Sequence, residues 1–566
     1  MSFRGTSQGV ARSSSRFQQK VHRGKNETMK HLCGRILLSA FLVALPSLSF
    51  AQSASTASAP SLIVNTDKGP VRGKISDGVL EFKGIPYAAP PVGKLRWELP
   101  QPVKPWQKTL DATEFRNGCP QVSRYGLTEA GYNEDCLFLN VAVPLENHPS
   151  ATRRPVIVWI YGGVFVGGSS SLYPLGHMAK SGNAIVVSMN YRLGVFGFMA
   201  HPDFAPDWNG MYGIEDQRAA LRWVQRNIAR FGGDPHNVTI AGESAGAASA
   251  CMHVISPGET TGLFQRAIIQ SGGCVHHLRT VQEASKVGEK VAALVGCPDG
   301  PTAVSCMRSK PVKQLLEAAT KVAGSDVMTY VPTAGTKAIP LQGAEAFRTG
   351  KFVHVPIING ADTYELLLFL AYDIKAGHPV TAENYMAHLK ALYGDKAERV
   401  AEKYPVSAYP TPAQALGTVM SDFIPSNGLN SCIDLEAAKL ASKWVPVYEF
   451  EFADPAAPPV TEDPGFAMGA VHSSELPYFF PHFSNTSKLD GPDLAAGSQH
   501  LAGQMMDYWT SFAATGKPVA PGSPDWKKFQ SPKDVIRFEP GKVGLFDADA
   551  AHNCRFWHEL YPSILQ

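Results

Sequence analysis

The chain has 566 residues, of which 44% are hydrophobic, 18% charged and 10% aromatic, a balance that excludes a disordered chain, where low hydrophobicity and high net charge go together. Its 51 Gly and 43 Pro fall short of a low-complexity or collagen-like composition and fit a loop-rich globular protein. The formal charge of +3 misleads, because residues 1–51 hold eight cations and one anion, and the remaining 515 residues carry 44 cations against 48 anions, net −4.

Residues 1–28 are rich in Ser, Arg, Lys and Gln, without an apolar period. From Met29 the pattern changes. Lys30 and Arg35 precede an apolar run over residues 36–48, which ends in Ser49-Phe50-Ala51. That is the layout of an export signal with a small-x-small cleavage site. The run is too short to cross a bilayer, which takes about 20 residues. The sequence therefore predicts a start at Met29, cleavage after Ala51, a flexible leader over 52–61 and a secreted or periplasmic protein. No later stretch approaches membrane-spanning length, and no Lys/Arg cluster past residue 51 points to nucleic acid. Eight cysteines remain after Cys33 is lost with the signal. Export permits disulfides, and the lack of any C-x-x-C spacing argues against zinc-ribbon or thioredoxin chemistry.

Short antiparallel strands are read over 62–82. Apolar runs at 137–143, 156–160, 184–189, 238–240, 267–270 and 355–358 follow, and suit central strands covered on both faces. Helical patterns lie between them. Residues 216–230 place Ala219, Ala220, Trp223, Val224 and Ile228 on one face with arginines opposite, and 286–295 and 313–323 are also helical. The alternation predicts an α/β fold with a largely parallel central sheet and helices on both faces. Residues 275–345 and 366–430 interrupt it with mainly helical sequence and are read as a cap over the carboxyl edge of the sheet. Residues 453–467 are Pro-rich and read as a surface loop. No repeat or linker divides the chain, so 62–566 is read as a single domain.

The strand at 238–240 runs into Gly242-Glu243-Ser244-Ala245-Gly246, a G-x-S-x-G followed by the small residues Ala247, Ala248, Ser249 and Ala250. A nucleophilic serine needs this arrangement. It sits on a tight, strained strand-to-helix turn, with glycines on both sides to avoid clashes and a helix N-terminus that favours negative charge. Upstream, the strand at 156–160 ends in Tyr161-Gly162-Gly163-Val164-Phe165, the place of the second oxyanion element in α/β-hydrolases. Backbone N–H groups of Gly163, Val164 and Ala245 would hold a developing alkoxide. One such donor typically supplies about 2.7–4 kcal/mol of transition-state stabilisation.

Several further blocks accompany these two: residues 82–96 (Phe-Lys-Gly-Ile-Pro-Tyr-Ala-Ala-Pro-Pro-Val-Gly-Lys-Leu-Arg), Asn133-Glu-Asp-Cys-Leu-Phe-Leu-Asn140, Asn190-Tyr-Arg-Leu-Gly194, Gly213-Ile-Glu-Asp-Gln217, and Phe231-Gly-Gly-Asp-Pro235 running on to Gly246. Together they make the chain resemble the type-B carboxylesterase/lipase family, the group of cholinesterases and liver carboxylesterases, over residues 62–566. The resemblance implies an α/β-hydrolase fold and a triad in the chain order Ser, acid, His. It places the acid at Glu365, in Ile358-Asn-Gly-Ala-Asp-Thr-Tyr-Glu365, and the base at His472, in Gly469-Ala-Val-His472-Ser-Ser-Glu475. Neither could be picked from residue type alone among 17 His and 49 acids, and Asp362 stands as a rival acid.

The implied substrate is a small-molecule carboxylic ester, attacked by Ser244 through an acyl-enzyme, with no metal or cofactor required. The resemblance also implies disulfides Cys119–Cys136, Cys297–Cys306 and Cys432–Cys554. Cys251 and Cys274 are left as free thiols or a fourth bridge. Three departures stand out. Val164 replaces a third glycine common in the family, and its side chain is expected to narrow the acyl side of the pocket or re-aim the loop. Asp362 replaces an Asn. The Cys119–Cys136 loop is short and has no Trp, which argues against a choline site. Two other readings remain: the same machinery acting on an amide, thioester or specialised natural-product ester, and a non-catalytic cholinesterase-like binding protein.

Overall fold

The computed structural model describes residues 61–122, 131–145, 152–297, 300–326, 328–486 and 488–564. The expected signal over 1–51 and all but the last residue of the expected leader lie outside them. In chain order the first strands are β1 (Ile63–Asn65), β2 (Pro70–Arg72), β3 (Lys74–Ser76), β4 (Val79–Pro86), β5 (Leu110–Asp111), β6 (Phe138–Pro144) and β7 (Arg154–Ile160). Then come β8 (Ile185–Met189), β9 (Gly233–Glu243), β10 (Arg266–Gln270), β11 (Ile357–Asp362), β12 (Val447–Phe452), β13 (Val535–Phe538) and β14 (Gly544–Phe546). Strands β1, β2 and β5 form a small sheet. The others form one 11-stranded sheet in the order β14-β13-β12-β11-β10-β9-β7-β8-β6-β4-β3.

The heart of the large sheet is parallel, from β8 through β7, β9, β10, β11 and β12 to β13. Antiparallel strands close it on both sides: β6, β4 and β3 on one, β14 on the other. Every residue of β8, β11 and β12 is buried, which is why such strands read as unbroken apolar runs. From β7 the chain crosses to β8 on one side and returns to β9 on the other. That reversal opens a crevice at the carboxyl ends of β7 and β9, where open α/β sheets bind their ligands.

The helix expected over 216–230 spans Tyr212–Asn227. Its continuation over Ile228–Phe231 tightens to a 3-10 turn, which Gly232 ends at φ 89°. The region expected to cap the sheet is helical: Val281–Leu294, Ala303–Ser309 and Val312–Ala323 in its first part, Leu367–Lys375, Tyr385–Tyr393, Ala397–Lys403 and Pro412–Asp422 in its second. Thr280 starts the first of these with a capping box closed by Glu283, which satisfies two otherwise orphaned N–H groups. The Pro-rich stretch 453–467 holds no regular element.

Cys119–Cys136, Cys297–Cys306 and Cys432–Cys554 are bridged, with Cα–Cα separations of 5.0, 5.6 and 5.3 Å. Cys251 and Cys274 form a fourth bridge, Cα–Cα 5.6 Å, so they are not free thiols. Among the described residues no helix is long and apolar enough to cross a membrane.

Candidate active site

β9 ends at Glu243 and the helix Ala245–Val254 begins at Ala245, so Ser244 makes the whole reversal alone, at φ 57° and ψ −125°. A non-glycine residue held there stores of order 1–3 kcal/mol of strain. The flanking glycines permit it. A Cβ on Gly242 would lie 2.5 Å from the Gly246 carbonyl carbon, and one on Gly246 would overlap the Ile160 carbonyl oxygen. The Ser244 N–H donates to the Gln270 carbonyl at 3.0 Å, which ties the turn to β10.

Ser244 Oγ lies 2.9 Å from His472 Nε2, and His472 Nδ1 lies 2.5 Å from Glu365 Oε2. Glu365 Oε1 accepts from the Ser271 hydroxyl at 2.5 Å and from the Asp362 N–H at 2.8 Å. The three side chains come from the turns after β9, β11 and β12, neighbours but for β10 in the sheet. A backbone bridge pairs Tyr364 with Val471, and the Tyr364 N–H donates to the Ala470 carbonyl at 2.8 Å. The loop bearing His472 is thus fastened to the turn bearing Glu365. Asp362 does not meet the imidazole; its Oδ2 accepts from the Ser474 N–H at 3.2 Å.

The Gly162–Phe165 turn after β7 abuts the nucleophile, where a Cβ on Gly162 would lie 2.9 Å from Ser244 Cβ. Gly163, Val164 and Phe165 all have positive φ, at 115°, 54° and 61°. The Val166 and Gly167 N–H groups close the turn onto the Gly163 carbonyl at 3.0 and 3.1 Å. The N–H groups of Gly163, Val164 and Ala245 donate to no acceptor among the described residues. Unspent backbone donors beside a buried serine are what a site for a developing oxyanion requires.

Three further buried carboxyl groups lie around His472, and sequence reasoning missed the first two. Glu243 Oε1 lies 3.2 Å from His472 Nε2 and accepts from the Ser473 hydroxyl at 2.8 Å. Glu475 Oε1 accepts from Gln270 Nε2 at 2.9 Å. The third is Asp362, weighed only as a rival acid. Glu243 and Glu475 were in view, one before Ser244 and one three past His472, but spacing alone does not reveal which side chains turn inward. Burial works against the charged form of His472, but Glu243, Glu365 and Glu475 outweigh it and push the imidazole up to about 9. Burial and the neighbouring carboxylates push Glu475 up to about 8 and Asp362 well above the usual carboxylate range. Burial also raises Glu243, against the pull of His472.

Two cavities reach Ser244. The larger, about 420 Å³, is walled by Ala248, Met252, Leu278, Val331, Phe369 and Ile424 among others. The smaller, about 20 Å³, is lined by Gly163, Val166, Leu368, His472 and Asn485 with others. Val164 and Phe369 border both. Among the described residues no cluster of His, Cys, Asp and Glu has the geometry of a metal site.

Residues 60–557 match the Carboxylesterase family. The chain is 33% identical over 545 residues to an acetylcholinesterase of Bungarus fasciatus, covering 90% of this chain and 88% of the relative. It is 33% identical over 474 residues to a para-nitrobenzyl esterase of Bacillus subtilis (strain 168), covering 81% and 90%. It is 32% identical over 502 residues to a fumonisin B1 esterase of Sphingopyxis macrogoltabida, covering 85% and 86%. With the α/β-hydrolase architecture and the serine turn, these matches place the chain in the carboxylesterase family, as a carboxylic ester hydrolase.

Proposed function

We propose that the enzyme hydrolyses carboxylic esters through a Ser244–His472–Glu365 triad and a covalent acyl-enzyme. The observation that carries this reading is the hydrogen-bonded chain from Ser244 Oγ through the imidazole to Glu365. His472 Nε2 takes the Ser244 proton as Oγ attacks the ester carbonyl. The N–H groups of Gly163, Val164 and Ala245 receive the oxyanion. Glu365 keeps the proton on Nδ1 and stabilises the imidazolium. Nε2–H then protonates the leaving alcohol, and a water molecule repeats the sequence on the acyl-enzyme.

The leaving oxygen must lie against His472, which lines the smaller cavity. The 420 Å³ cavity at Ser244 has apolar walls that favour aliphatic and aromatic groups and offers the room for the bulkier part of the ester. The para-nitrobenzyl esterase among the relatives supports activated aryl and benzyl esters as probes.

The catalytic unit is the single domain over 62–566, exported and cleaved after Ala51. The four disulfides, at home in an oxidising compartment, support export. N-terminal sequencing of the exported protein checks this, with Gln52 expected first and Met1 fatal to it.

The catalytic reading is tested with p-nitrophenyl esters from acetate to palmitate. Wild type should turn them over, with a rate that falls once the acyl chain outgrows the cavity. Ser244→Ala should lose about 10⁶-fold. An organophosphate should label Ser244 covalently. Failure of both turnover and labelling would overturn the mechanism and leave the binding-protein reading.

A further inference from the structure

The 420 Å³ cavity is apolar over most of its wall, and the polar side chains that border it among the described residues are those of Ser244, His276, Asp326, Ser426 and Asn427. Ser244 is the nucleophile of the proposed triad. Asp326 and Ser426 are exposed. Both oxygens of Asp326 are engaged locally, Oδ1 by the Met328 N–H and Oδ2 by the Thr329 hydroxyl, each at 2.9 Å. His276 and Asn427 are half-buried, and each keeps hydrogen-bonding capacity to spare.

His276 Nδ1 lies 2.6 Å from the Gly273 carbonyl oxygen. A carbonyl only accepts, so Nδ1 carries the proton. Burial and the neighbouring His277 hold the imidazole below its ordinary pKa. Near pH 7 the ring is therefore neutral, and Nε2 presents a lone pair that no donor meets among the described residues. Asn427 is the converse. Its Oδ1 accepts from the Leu429 N–H at 2.8 Å, and its Nδ2 meets no acceptor among the described residues.

The two groups are held close together on fixed backbone. A Cβ on Gly428, the residue after Asn427, would lie 2.8 Å from Cβ, Cγ and Nδ1 of His276, and one on Gly273 would lie 2.7 Å from the Gly428 carbonyl oxygen. The loop after β10 and the loop after the helix Pro412–Asp422 thus touch glycine to glycine. The first is tied by the Cys251–Cys274 bridge to the helix behind Ser244. It is tied again by two hydrogen bonds of 2.8 Å between the Leu278 backbone and the Gln342 amide. In the second, Asn430 Nδ2 donates to the Asn427 carbonyl at 2.8 Å. Groups set in place before binding lower the ordering cost of recognition.

We propose that His276 and Asn427 are specificity-determining residues, an acceptor and a donor that together recognise a hydroxyl group on the part of the ester seated in the 420 Å³ cavity. A hydroxyl both donates and accepts, so it satisfies Nε2 and Nδ2 at once. An alkyl end would strip water from both and return no hydrogen bond. This inference rests on the reading of Ser244 as the nucleophile, which is what makes the cavity the substrate's.

Matched esters test it on either side of the scissile bond: p-nitrophenyl p-hydroxyphenylpropanoate against the phenylpropanoate, and p-hydroxyphenethyl acetate against phenethyl acetate. In wild type kcat/KM should favour the hydroxylated member of at least one pair about fivefold. His276→Leu should bring that ratio close to one, with the plain member keeping its rate within about twofold, and Asn427→Ala should lower the ratio about twofold. A wild-type ratio near one in both pairs overturns the proposal, and so does a preference that survives His276→Leu. Equal losses on both members of a pair would mean that His276 only holds its loop, which overturns it as well. Calorimetric binding of p-hydroxybenzylacetone and benzylacetone, ketones with no ester bond to cleave, repeats the comparison without turnover. Selective binding of the first by a protein that cleaves neither ester would keep the recognition and sink the triad. Turnover with no discrimination in either assay would do the reverse.

Discussion

Glu365 and Asp362 lie three residues apart and both are buried, yet only one faces the imidazole. Glu365 reaches His472 Nδ1 because its turn is pinned by the Ser271 hydroxyl and the Asp362 N–H, whereas the Asp362 side chain points to Ser474. A Gln at 365 would preserve shape but lose the charge opposite the imidazolium and no longer fix the Nδ1–H tautomer. Glu365→Gln should lower kcat by about 10⁴-fold, and Asp362→Asn should cost far less, both read with p-nitrophenyl esters. Equal, mild losses would mean that the acid of the triad is misassigned. At this scale the sequence was half legible. Ser244 announces itself, because a strand, two glycines and a small-residue helix are all local. Glu365 and His472 came only through the resemblance, because their roles arise where separate turns meet. Glu243 and Glu475 stayed hidden because nothing local tells an inward carboxylate from a solvated one.

Among the elements, the strands that were legible are those with apolar residues throughout, such as β7 and β8. β12 was missed although all six of its residues are buried, because Glu449 and Glu451 break the apolar run. Their burial depends on distant partners. Glu449 accepts from Asn359 Nδ2 at 3.0 and 3.1 Å, and Glu451 meets Thr363, Arg537 and His552. Likewise the first half of β9 reads as a Gly-Asp-Pro loop and becomes a strand because β7 pairs with it, Arg154 opposite Gly233. The turn between β9 and the helix Ala245–Val254 is the element most tightly set by close approach. Gly246→Ala would drive a methyl into the Ile160 carbonyl, backbone that cannot rotate away. It should cost at least about 2 kcal/mol, seen as a lower urea midpoint. Gly258→Ala, in the short helix Pro257–Thr260, meets nothing within 4 Å and should be neutral or slightly stabilising. Similar midpoints for the two variants would refute the close-approach argument.

Across the whole molecule, the C-terminal segment is tied back to the sheet and the cap by two devices that respond to different conditions. The Cys432–Cys554 bridge spans a separation of 122 residues, for which the loop-entropy model gives about 5 kcal/mol, although bridges often deliver less. Two residues before it, the buried His552 sits between two carboxylates. Its Nδ1 lies 2.7 Å from Asp422 Oδ1, at the end of the helix Pro412–Asp422, and its Nε2 meets Glu451 Oε2 on β12. Asp422 Oδ2 accepts from the Tyr404 hydroxyl at 2.7 Å, and Tyr404 in turn accepts from the Trp557 indole N–H at 2.9 Å. Burial opposes the imidazolium, but Glu451 and Asp422 outweigh it and push His552 from 6.5 up to about 10. The folded chain therefore holds a proton that the unfolded chain releases near 6.5. The stabilisation from His552 is complete below that pH and is lost as pH climbs toward 10. Glu475, which keeps its proton up to about 8 when folded, adds to the loss in the same direction. With the disulfides intact, unfolding stability should fall between pH 6.5 and 10. His552→Gln keeps a polar side chain but no titrating charge, so it should be less stable than wild type at pH 6.5 and converge on it by pH 10. Urea unfolding at several pH values measures both curves. Parallel curves would mean that the proton on His552 does not hold the C-terminal segment in place.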